Sequence, residues 1–106
     1  MDQANNNYSV IISKRATQML VNHAAFLSQV NEDVAENLVI SFENTAKTLE
    51  QMPHRCPWLV GEFIPRNLYR YLIFEKRYLL IYQIKDKKVY VDYVLDNRQD
   101  YGWLFR

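Results

Sequence analysis

The sequence predicts an α+β fold, and three observations carry that prediction. Residues 8–13, YSVIIS, alternate and are rich in β-branched side chains, the pattern of a half-buried strand. Residues 14–51 change period, with apolar side chains recurring every three or four positions as on one helix face. From residue 68 the period returns to two, in three aromatic and β-branched runs broken by short charged turns. The expected order is β-α-α-β-β-β, a two-helix hairpin packed on a twisted antiparallel sheet. A chain of 106 residues makes one domain and can bury a core without staples. Residues 1–7, with three consecutive asparagines, are expected to be a disordered N-terminus, and 8–106 the domain.

Each element has local signals. Ser13 supplies an N-cap for a helix over 14–30. Its stripe is Ala16, Met19, Leu20, His23, Ala24, Leu27 and Val30. His23 sits at the stripe's edge with no second His or Cys one turn away, which fits packing rather than metal ligation. Asn31 caps a second helix, with Glu32 and Asp33 in the first turn, where the helix dipole favours carboxylates. Ala35, Leu38, Val39, Phe42, Ala46 and Leu49 form its stripe, and Pro53 stops it near Gln51. Three prolines and Gly61 exclude a long regular element over 53–67. Within it, 59–64 reads as a short edge strand ended by Pro65, and Trp58 as an anchor on the core. Strands follow at 68–74, 78–84 and 88–96, and turns this short make them antiparallel neighbours. In the last strand, strict alternation places Val89, Val91, Tyr93 and Leu95 on the core face. Tyr90, Asp92, Val94 and Asp96 then share the other.

Composition excludes several functions. Two glycines cannot build a phosphate-binding loop. HExxH, CxxC and GxSxG are absent, Cys56 is the only cysteine, and the two histidines stand in different contexts. No cofactor or metal is expected. No run reaches the length of a membrane span, the start of the chain lacks a signal-peptide pattern, and a lone cysteine suits a reduced compartment; the cytoplasm is expected. Charge is uneven. Residues 1–65 carry four bases against seven acids, and residues 66–106 carry nine bases against five. Seven of the eight tyrosines lie in 69–101. A surface of arginine and tyrosine can hold phosphate through the planar guanidinium and stack bases on phenol rings. It can thus promote RNA cleavage without histidine. Lysine-rich turns also serve solubility and edge protection alone.

These residues carry a resemblance. The element order, YSVIIS near the start, MPHR after the second helix, YRYLIF, and YLLIYQIKDKKVYVDYVLDNRQDY resemble the RelE/ParE superfamily of toxins from type II toxin–antitoxin (plasmid stabilisation) modules. The likeness spans about residues 8–105. It implies a toxin neutralised by a small antitoxin protein. Nucleases of the RelE branch cut mRNA on the ribosome with basic residues on the meander, a late arginine and a C-terminal tyrosine. Carried over position by position, Arg70 matches one basic meander position and Arg98 the late arginine. Tyr101 lies near the C-terminal tyrosine position, to which strict spacing assigns Phe105. Leu72 and Leu79 stand where those nucleases are basic. The first expectation is therefore an mRNA interferase that blocks translation. Arg70 and Arg98 would hold phosphate, Tyr101 would stack or assist proton transfer, and Arg55 and Arg77 would be peripheral RNA contacts. The alternative is a non-catalytic, ParE-like inhibitor of DNA gyrase. A third reading is an unrelated small interaction domain.

Overall fold

Strand β1 (Ser9–Ile12) leads into α1 (Lys14–Ser28) and α2 (Glu32–Thr48). A 3-10 turn at Pro53–Arg55 precedes β2 (Arg70–Phe74), β3 (Tyr78–Lys85) and β4 (Lys88–Asp96). The structure is a computed structural model that describes residues 7–98. Both helix starts are capped by the residues the sequence nominates. Ser13 Oγ accepts from the Ala16 amide at 3.0 Å, and Asn31 Oδ1 accepts from the Asp33 amide at 2.8 Å. Each cap satisfies amides that a helix start leaves without an intrahelical partner. Helix α1 ends at Ser28 rather than Val30, because Asn31 must be extended (φ −159°) to cap α2. The amides of Val30 and Asn31 both close on the Leu27 carbonyl.

The sheet order is β1-β4-β3-β2. The β2–β3 and β3–β4 pairs are antiparallel, as their tight turns require. Glu75, Lys76 and Asp86 take positive φ in those turns (48°, 69° and 59°). Strand β1, however, pairs parallel to β4, with Ser9 opposite Lys88 and Ile12 opposite Val91. The sheet is thus mixed rather than wholly antiparallel. A short turn dictates the direction of the strand it links. Nothing local dictates which edge β1 joins after two helices and a meander intervene.

A second departure lies inside β4. The β3–β4 register pairs Ile81 with Tyr93 but Tyr82 with Val91, so Asp92 is an extra residue on β4. This β-bulge switches the parity of every later side chain. Val89, Val91 and Val94 all face the helices, with Leu80, Tyr82, Leu38 and Phe42 in one buried cluster. Tyr93 and Leu95 turn to the opposite face, where they pack with Leu79, Ile81 and Leu59. The expected single core face, Val89 through Leu95, is therefore split at Asp92. Three contacts pin the bulge: Ser13 Oγ and Arg15 Nε donate to the Asp92 carbonyl at 3.4 and 3.2 Å, and Gln83 Nε2 donates to its carboxylate at 2.7 Å.

The expected strand over 59–64 does not form. Only Trp58 bridges β2, opposite Arg70, and Leu59 and Tyr71 complete two hydrogen bonds across that bridge. The chain then turns away at Gly61, where a Cβ would lie 2.8 Å from Ile64 Cδ1. Asn67 turns it again with φ 56°. Leu59 and Ile64 thereby reach under the sheet and cover part of the face opposite the helices.

Candidate functional site

The basic residues nominated by sequence fall into two groups at opposite ends of the sheet. Arg70 starts β2 opposite Tyr82, and Asp96 ends β4 opposite Tyr78. Tyr78 and Tyr82 are four positions apart on β3, about 13 Å along the strand.

Arg70 and Arg55 form the first group, and both are engaged in building the fold. Arg70 Nη1 donates to the carbonyls of His54 (3.0 Å) and Cys56 (2.5 Å). Its guanidinium also lies 3.8 Å from the Trp58 ring centroid. Arg55 folds back on the end of α2. Nη1 donates to the carbonyls of Gln51 and Met52, both at 3.3 Å, and Nη2 to Thr48 Oγ1 at 3.0 Å. Those carbonyls belong to the helix end and the turn beyond it, where acceptors lack intrahelical donors and cations are favoured. Beneath this turn the Tyr82 hydroxyl, on a fully buried ring, donates to the Pro53 carbonyl at 2.6 Å. Burial, more than its contact with Cys56, pushes that phenol far above its ordinary pKa.

Arg77 and Arg98 form the second group. The Asn97 amide donates to the Arg77 carbonyl at 2.6 Å, which brings the end of β4 against the β2–β3 turn. Arg98 grips Asp96 with two parallel bonds, Nε to Oδ1 at 3.2 Å and Nη2 to Oδ2 at 2.9 Å. The Arg98 amide also donates to Oδ1, at 2.9 Å. The Asp96 side chain is nearly buried, whereas 60% of the Arg98 side chain is exposed. His23 belongs to the same end. Its Nε2 donates to the Val94 carbonyl at 3.0 Å, and its ring stands edge-on to Tyr78 at 5.2 Å. The expected packing role of His23 accords with these contacts. Tyr101 lies outside the described residues.

Hydrogen bonding from Arg98 holds the Asp96 carboxyl below its ordinary value of 3.8, and burial only partly opposes it. The folded pKa is lowered, so this contribution to stability is complete above the unfolded pKa. It is lost as pH falls through the folded pKa. As pH drops below the ordinary carboxylate value of 3.8, the urea midpoint of the wild-type protein should therefore fall more steeply than that of Asp96→Asn. Equal slopes would show that the pair contributes nothing to acid stability.

Sequence reasoning missed a third group on the face opposite the helices. The Arg15 guanidinium lies 4.0 Å from the Tyr93 ring centroid, beside the bulge at Asp92. Tyr69 meets Tyr93 edge-on at 5.9 Å. Burial, then the neighbouring Tyr93 and Asp92, raises the Tyr69 pKa. The signal available was Arg15 itself, one residue inside a helix whose preceding strand lies beside β4. Its use depended on the parallel β1–β4 pairing.

Chemically, the described residues offer arginine and phenol groups and no metal centre. Among them no group of three or more His, Cys, Asp or Glu is placed to hold a metal ion. Nor is any described helix long and apolar enough to cross a membrane. Leu79, where a RelE-type nuclease would be basic, is 2% exposed inside the second cluster.

Two helices on one face of a four-stranded mixed sheet are the architecture that the sequence resemblance to RelE/ParE-type toxins leads one to expect. Comparison with known proteins then makes the assignment. Residues 10–101 match the family described as the ParE toxin of the type II toxin–antitoxin system, parDE, and the chain belongs to that family. Among solved structures it is similar to the chromosomal ParDE toxin–antitoxin system from P. aeruginosa. The TM-score is 0.67 at 15% identity, covering 86% of this chain and 97% of that one. No curated protein matches. As a toxin of such a module, the protein has an antitoxin partner.

Proposed function

We propose that this toxin acts by binding a protein target, DNA gyrase, rather than by cutting mRNA. The observation that carries this reading is the engagement of the nominated cations. Arg70 and Arg55 are spent on backbone carbonyls, Arg98 is clamped on Asp96, and the Leu79 position is apolar and buried. Stabilising the charge that develops on a scissile phosphate needs cations already aimed at it. Arginines bound to the fold's own carbonyls do not meet that need. Membership of the ParE rather than the RelE branch supports the same reading.

The mRNA interferase reading rests on one feature, the exposed outer edge of Arg98 beside Arg77. Two assays separate them. Purified toxin should inhibit gyrase supercoiling, while messages in a cell-free translation reaction keep their full length. Arg98→Ala and Arg77→Ala should leave growth inhibition unchanged. Newly generated mRNA ends that disappear in Arg98→Ala, with supercoiling unaffected, would replace this proposal by the nuclease.

A further inference from the structure

Arg15 stands in an electrostatically poor place and is nonetheless held in one orientation. It is the second residue of α1, whose first turn carries no acidic side chain. The positive end of the helix dipole disfavours a cation there. Two contacts fix the guanidinium. Nε donates to the Asp92 carbonyl at 3.2 Å, and Cζ lies 4.0 Å from the centroid of the Tyr93 ring, which Tyr69 braces edge-on. Both supports come from the bulge. The extra residue at position 92 offers the carbonyl, and the switch of parity turns Tyr93 onto this face. Bulges are over-represented beside functional sites, where they re-aim a side chain. The charge is not used within the fold. Gln83 holds the Asp92 carboxylate at 2.7 Å, and no described residue bonds either Nη nitrogen of Arg15, which is exposed. On the same sheet face, two residues before the bulge, half-buried Tyr90 stands opposite Ile11, which is 40% exposed.

We infer that, on the reading of the toxin as a gyrase binder, Arg15 is a target-recognition residue whose open fork takes a carboxylate side chain of gyrase. A planar guanidinium donates two parallel hydrogen bonds to a carboxylate. With Nε engaged on Asp92, Nη1 and Nη2 supply that pair. A side chain already fixed by its own fold loses little rotamer freedom on binding, so the contact is preorganised. Arginine and tyrosine are among the residue types enriched at the few positions that dominate protein interfaces, and here one is laid on the other. Tyr90 and Ile11 add phenolic and aliphatic surface on the same face. A protein carboxylate fits this fork better than a nucleic-acid phosphate. Binding to a phosphate backbone draws on several cations at once. The net charge of the chain is +1, and the bulge displays a single guanidinium.

Two measurements on purified toxin test this together: inhibition of gyrase supercoiling, and calorimetric titration of DNA-free gyrase. Arg15→Gln should raise both the half-inhibitory concentration and the dissociation constant about tenfold or more. Arg15→Lys should recover little, because an ammonium is a point charge without the fork. Added salt should weaken the wild-type toxin more than Arg15→Gln, a difference that a purely structural arginine would not produce. Lys14→Gln, which removes the neighbouring exposed cation, should behave as wild type. Both Arg15 variants should keep the wild-type circular dichroism spectrum; if Arg15→Gln does not, Arg15→Lys, which keeps the charge and most of the side chain's length, carries the comparison. Wild-type potency in a folded Arg15 variant would overturn the inference and leave the gyrase reading standing. A wild-type toxin that neither binds gyrase nor inhibits supercoiling would overturn both. An Arg15→Gln defect seen only when DNA is present would assign the fork to a phosphate, and one confined to antitoxin binding would assign it to the antitoxin; either result refutes the gyrase carboxylate.

Discussion

Arg70→Ala should cost about 3 kcal/mol of folding stability, seen as a lowered urea midpoint. The side chain makes two charge-assisted hydrogen bonds to carbonyls and lies against the Trp58 ring. Hydrogen bonds to charged groups contribute about 1.5–3 kcal/mol each, and a partly exposed cation–π contact about 0.5–1. Relaxation and water entering the gap offset part of that sum. Arg70→Lys should recover less than half, because an ammonium cannot reach two carbonyls and lie flat on an indole with one planar group. An Arg70→Ala midpoint within error of wild type would show that the loop over 53–58 is held by other contacts. The prediction also governs how activity is read. Loss of toxicity in Arg70→Ala that follows the folded fraction marks a structural arginine. Loss in a fully folded population marks contact with the target.

Arg70 illustrates how far the sequence could be read. Its residue type and its position on the meander were legible, and both suggested phosphate. Two carbonyl acceptors from a segment 14 and 16 residues upstream were not, because a 3-10 turn led by Met52 in the left-handed region (φ 54°) brings them there. Arg55 was obscured in the same way: expected as a peripheral RNA contact, it is exposed and also bonds the end of α2. What the sequence did carry was local. Ser13 and Asn31 announced two helix starts, and the charged turns announced two hairpins, because short-range hydrogen bonding decides those features. Strand neighbours joined by long connections were not decided locally, so the parallel placement of β1, and with it Arg15 beside Tyr93, became visible only in three dimensions.

The bulge at Asp92 gives the largest expected effect. Uninterrupted alternation assigns Val94 to the same face as Tyr90 and Asp96, where a carboxylate would be tolerated. In the fold Val94 is fully buried against the helices, and its carbonyl accepts from His23. Val94→Asp therefore places a charge in the main core, among buried apolar and phenolic side chains. Removing one partner of a buried ion pair costs about 3–5 kcal/mol by leaving the other charge uncompensated, and a charge introduced without any partner costs no less. Such a loss approaches the entire 5–15 kcal/mol that stabilises a domain. The variant should fail to show a cooperative urea transition, whereas Val94→Thr, with nearly the same shape and one hydroxyl, should stay folded and lose about 1–3 kcal/mol. A Val94→Asp protein with a native spectrum and a cooperative transition would mean that β4 runs without the bulge, with Val94 facing solvent. The same result would dissolve the Arg15–Tyr93–Tyr69 cluster, because only the extra residue at position 92 turns Tyr93 away from the helices.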